Sequence, residues 1–63
     1  SSAANGDMMT IREIIDMCEA RLVQLDGRRT SATSLGDIRQ VQQIDAEKEE
    51  TQTTLNQLRT LLA

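Results

Sequence analysis

Two heptad-spaced series of positions, mirrored about a single glycine, constrain this chain more than any other feature. Before Gly36 the series runs Ile11, Ile15, Cys18, Leu22, Leu25, Arg29 and Ala32. After it come Val41, Ile44, Lys48, Thr51, Leu55, Leu58 and Leu62. Both step by alternating threes and fours, the spacing that keeps one stripe of a helix against a neighbouring helix. Paired outward from the glycine, the residue numbers of every facing pair add to the same value. A constant total is the signature of two antiparallel arms, since each step from the turn moves equally along both. The expected fold is therefore all-α: a two-helix antiparallel coiled-coil hairpin, dimerising into a four-helix bundle.

The turn itself has the chemistry of a reversal. The hinge stretch is Ser34-Leu35-Gly36-Asp37-Ile38. Gly36 suits a left-handed residue closing the first helix. Asp37 then caps the second, with Gln40 three residues on as the return half of a capping box. Ser34 is an alternative cap and would shift the boundary by up to three residues. At the other end, Thr10 and Glu13 form a capping box, flanked by Met9 and Ile14 at the positions of a hydrophobic staple. These signals predict a helix over 10–34, a hinge over 35–37 and a helix over 38–62. Each arm of about 25 residues spans on the order of 37 Å.

Gly27 is the one blemish within an arm. Asp26-Gly27 is a turn dipeptide and offers a rival break. The heptad register continues through it to Ala32 and places Gly27 at f, away from the seam, which decides for an unbroken helix. Residues 1–9 carry no face to bury and are expected to be flexible. Met8 or Met9 is a candidate native start, with the residues before it an expression remnant.

The chain has 63 residues, and two helices of this length enclose little interior. Such chains usually need a disulfide, a metal or a partner. The single cysteine allows no internal disulfide, and with no histidine there is no zinc-ligand set. Self-association or a larger partner is the expected stabiliser. The absence of Phe, Tyr and Trp removes any aromatic stacking platform, and the net charge of −3 argues against a phosphate-backbone binder. No apolar run is long enough for a membrane span. With no export signal read at the start, the expected location is the cytoplasm of a host cell, or a virion.

The seam is uneven. Ile11, Ile15, Cys18, Leu55, Leu58 and Leu62 form a dense apolar block toward the termini, flanked by Ile14 and Leu61. Nearer the middle, Leu25 faces Lys48, Leu22 faces Thr51 and Arg29 faces Ile44. The expected packing interface is Ile11, Ile14, Ile15, Cys18, Leu22, Leu25, Val41, Ile44, Leu55, Leu58, Leu61 and Leu62, with the end block as its anchor. Lys48 and Arg29 are expected to lay their stems along the seam and send their charges outward. Of the flanking charges, Arg28 is placed to reach Glu47 on the g side. On the e side Asp26 faces Asp45 and Arg12 faces Arg59, like-charge pairs that a second hairpin would relieve by bringing the acidic level to the basic one.

No constellation for catalysis stands out. Cys18 has no histidine to activate it and sits on the seam, so a core role is expected. Asp45, Glu47, Glu49 and Glu50 point in different directions on a helix and lack the calcium-loop pattern, which makes them a solvated face. Met8, Met9 and Met17 form a soft apolar surface near the open end.

The runs Glu19-Ala20-Arg21-Leu22, Leu35-Gly36-Asp37, Ile44-Asp45-Ala46-Glu47 and Thr54-Leu55 through Leu58-Arg59 resemble short helical-hairpin proteins of tailed bacteriophages and prophages, encoded among head and tail structural genes. The resemblance covers nearly all of the chain after Met9. It implies a structural or assembly role and carries over no catalytic residue. The expected function is thus non-enzymatic, through helix–helix association in phage morphogenesis, with no cofactor, no metal and no nucleic-acid or membrane partner. Its partners would be a second copy and phage structural or host proteins. The alternative is a small acidic binding module, a chaperone partner or an inhibitor of a host protein.

Overall fold

The computed structural model describes residues 9–63 and shows two helices packed as an antiparallel hairpin, α1 (Ile11–Leu35) and α2 (Ile38–Leu62). The predicted flexible segment lies outside the described residues except for Met9, which is exposed.

The ends of both helices are set by local hydrogen bonds. The Glu13 N–H donates to Thr10 Oγ1 at 3.2 Å, and the Thr10 N–H donates to Glu13 Oε1 at 3.0 Å. Two of the donors that a helix start leaves unpaired are thereby satisfied. At the other end of α1, Gly36 takes φ 70°, a left-handed conformation that only glycine adopts without strain. Its N–H donates to the Thr33 carbonyl, and the Asp37 N–H donates to the Ala32 carbonyl at 2.9 Å. This is a Schellman closure. Asp37 serves both arms: its backbone ends α1, while its carboxylate caps α2 by accepting from the Gln40 N–H at 3.1 Å. The cap uses one direction only, because the Gln40 side chain does not return to Asp37 among the hydrogen bonds formed. With only Gly36 and Asp37 between the helices, the chain reverses in the shortest space the closure allows.

α1 continues through Gly27 without a break. A Cβ built there meets no atom within 4 Å. Replacing Gly27 by Ala removes backbone freedom from the unfolded chain and adds no clash, so G27A should stabilise the helix by about 0.8–1 kcal/mol. A rise in the thermal midpoint of the circular dichroism signal at 222 nm is the expected readout. A fall would mean that the position is not an open helical one.

Burial follows the seam. Every seam position is buried or half-buried except Leu62, which keeps 44% of its surface exposed. The depth is not where the sequence placed it. Leu25, Ala32 and Ile44 are buried to 1–2% and form one cluster with Val41 packed against it, all in the half nearer the hinge. In the terminal half Leu55 is buried, but Ile11, Ile15, Cys18 and Leu58 are only half-buried. The expected anchor at the open end is thus corrected. A layer at the end of a hairpin has neighbours on one side only. A layer near the turn is closed by the chain itself, and the small Ala32 lets the backbones approach.

Candidate functional site

The surfaces of the hairpin are what a partner would meet, and the charges define them first. Four ion pairs cross between the arms: Arg29–Asp45, Lys48–Asp26 and Arg21–Glu47 at 2.6 Å, and Arg59–Glu19 at 2.7 Å. They bracket the seam register. Arg29–Asp45 and Asp26–Lys48 lie one residue off it. Arg21–Glu47 and Glu19–Arg59 lie five residues off it in opposite directions, the reach of long side chains.

Arg29 and Lys48 occupy seam positions and are half-buried, yet both end in ion pairs at the surface. Their stems follow the seam while the charges leave it. This corrects the expected like-charge contacts. Asp26 and Asp45 do not repel each other across the e side, because each is paired with the seam cation of the opposite arm. Arg59 is paired with Glu19 rather than set against Arg12. Arg28 does not take Glu47, which belongs to Arg21. On the e side only Arg12 is left without an ion pair among the described residues, so the like-charge argument for a second hairpin falls. Sequence reasoning missed Glu19 and Arg21 because it compared directly opposed positions; pairs offset along the axis were the available signal.

The helix cap and the Arg29–Asp45 pair shift three ionisable groups. Glu13 is held below its ordinary pKa by the backbone N–H of Thr10, then by the Thr10 hydroxyl. The hydrogen bond from Arg29 lowers Asp45, and the same bond raises Arg29 further above neutrality. A carboxyl with a depressed folded pKa stabilises the fold above its unfolded value and loses that contribution as the pH falls through the folded one. The helical signal should therefore hold from neutrality down to the ordinary carboxylate range and decline below it. In D45N the part of this acid loss carried by Asp45 should disappear, as read from thermal midpoints at pH 7 and pH 3. An unchanged difference between the two midpoints would show that the Arg29 contact carries none of it. The Arg29 contribution fades only in strong alkali.

The remaining acids do not converge. Asp45 and Glu47 are engaged with separate arginines, while Glu49 and Glu50 are exposed on the outer side of α2 with Ala46, Thr53 and Thr54. Cys18 is half-buried and forms no disulfide.

The other broad face is formed by the g and c positions of both arms. On α1 it presents Ile14, Met17, Arg21, Gln24, Arg28, Ser31 and Leu35; on α2 it presents Gln40, Gln43, Glu47, Glu50, Thr54, Gln57 and Leu61. Toward the hinge it is hollowed into an open groove of about 480 Å³ lined by Gln24, Gly27, Arg28, Ser31, Ala32, Leu35 and Gln40. Toward the termini it carries Met17 and Leu61, exposed by 58% and 69%, beside the half-buried Ile14. Leu61, expected in the packing interface, is not covered by the hairpin itself. Among the described residues no helix is long and apolar enough to cross a membrane. Comparison with protein-family models, with curated proteins and with solved structures returns no match.

Proposed function

We propose that this chain is a non-enzymatic structural or assembly protein that acts by helix–helix association, with a second copy of itself as its first partner. The observation that carries the proposal is the thinness of the hairpin. It measures 48 × 24 × 13 Å, about one helix thick. Among the described residues only Leu25, Ala32, Ile44 and Leu55 are fully buried, while Met9, Met17, Val23, Leu35, Ile38, Leu61 and Leu62 remain exposed. A layer of helices with one covered edge reaches a stable state by adding another layer. A four-helix bundle is the smallest closed solution.

A place in phage or prophage morphogenesis fits the resemblance of its Glu19–Leu22, Leu35–Asp37 and Ile44–Glu47 runs to hairpins encoded among head and tail genes. The acidic outer side of α2, with Glu49 and Glu50 exposed, supports a second reading as a small binding module for a chaperone or a host protein. Sedimentation equilibrium at micromolar concentration tests the first proposal: a dimer or larger oligomer is expected, and a monomer mass removes it. Pull-down with particle proteins, against pull-down with one host enzyme whose activity changes, separates assembly from inhibition.

A further inference from the structure

Resting on the self-association proposed above, we infer that a second copy docks on the face of g and c positions, with helix α1 of each copy against α2 of the other and the two hinges at the same end. Charge selects both the face and the orientation. On the opposite face Arg29–Asp45, Asp26–Lys48 and Glu19–Arg59 close within one hairpin, and the charges left over, Arg12, Asp16 and Glu49, do not divide into a cationic arm and an acidic arm. On the g and c face, the α1 strip carries two cations, Arg21 and Arg28, and no acid. The α2 strip carries two acids, Glu47 and Glu50, and no cation. Arg28 and Glu50 are exposed and make no ion pair within the hairpin among the described residues.

Two in-plane twofold axes bring such faces together. An axis across the helices sets the hinges at opposite ends and lays α1 on α1, so Arg21 of each copy stands about three residues, roughly 5 Å, from the level of Arg28 on the other and Glu50 lies near Glu50. An axis along the helices lays α1 on α2, cationic strip on acidic strip. Arg28 of one copy then stands within about five residues, roughly 7 Å, of the level of Glu50 on the other, within reach of two long side chains. The same axis brings the half-buried Ile14 and the exposed Met17 over Leu61, which the single hairpin leaves exposed at the open end. Size agrees as well: arms of about 37 Å on a ribbon 24 Å wide offer roughly 900 Å² per copy at full overlap, close to the 800 Å² or so of a stable dimer.

The test combines mass, distance and charge reversal, in a Cys18→Ser background carrying Ser34→Cys as a spin-label site near the hinge. The expected result is self-association with a hinge-to-hinge distance under about 30 Å, against on the order of 40 Å for hinges at opposite ends. Arg28→Glu alone and Glu50→Arg alone should each weaken association roughly tenfold at low salt, and the double reversal should restore it. Self-association with the long distance overturns this inference and leaves the proposed function standing. A short distance with no effect of either reversal overturns the assignment of this face. A monomer mass removes both.

Discussion

Ile44→Ala should abolish the folded hairpin at room temperature. Ile44 is exposed by only 1% and shares its cluster with Leu25 and Ala32, so truncation opens a cavity among residues that are themselves buried. Truncations of this kind cost about 2–5 kcal/mol, from lost transfer free energy plus the residual cavity. A two-helix ribbon with four fully buried residues among those described has little in reserve against such a loss. Leu25→Ala, in the same cluster, should behave alike. Ile11→Ala, at a half-buried end layer, should lower the thermal midpoint without unfolding the chain at 25 °C. Amide hydrogen exchange gives the same contrast in the unmodified protein, with slowest exchange expected around Leu25 and Ile44. Slowest exchange around Cys18 and Leu55 would return the anchor to the open end and contradict the burial pattern.

Gly36→Val should be the most damaging change at the surface. The position is exposed and a Cβ there touches nothing within 4 Å, so the expected loss of stability does not start from a clash at Cβ. It comes from φ 70°, which a β-branched residue adopts only at a penalty of about 2 kcal/mol. Relieving the strain would move Gly36 and Asp37 out of the Schellman closure, releasing the bonds to Thr33 and Ala32 and with them the cap on α2. The control is Gly27→Ala, an exposed glycine with ordinary helical φ, where the sign reverses. Equal effects at the two glycines would show that the turn, as described, does not set the reversal.

The dimer, where it forms, makes these measurements depend on concentration, because anything that binds only the folded chain raises its apparent stability. Ile44→Ala should then be partly rescued at high concentration. The g and c face provides such a route, since Ile44 lies on the internal seam and not among the residues proposed to touch a second copy.

Much of the architecture was legible in the residue order. The antiparallel hairpin follows from two mirrored heptad series and from Gly36-Asp37, whose backbone preferences are local and need no knowledge of distant parts of the chain. The Thr10–Glu13 box follows from the same locality. The seam list separates covered from uncovered positions well: Leu62 is its one exposed member, and Ile14, Gln40 and Glu47 are half-buried beside it.

Three-dimensional packing decided what spacing could not. Direct opposition set Asp26 against Asp45 and Arg59 against Arg12, whereas the folded chain sends long side chains diagonally, Lys48 to Asp26, Arg29 to Asp45 and Arg59 to Glu19. A heptad letter gives a direction from the helix axis but not the several ångströms that an arginine or lysine reaches along it. Depth of burial shifted toward Leu25, Ala32 and Ile44 for a related reason. Apolar content ranks the layers by what they carry, while burial depends on what lies above and below each one, and only the assembled hairpin supplies that. Residue order fixed which stripes meet and where the backbone turns; the tertiary structure chose which layer is sealed, which charges are satisfied at home, and which face is left with arginines on one arm and glutamates on the other.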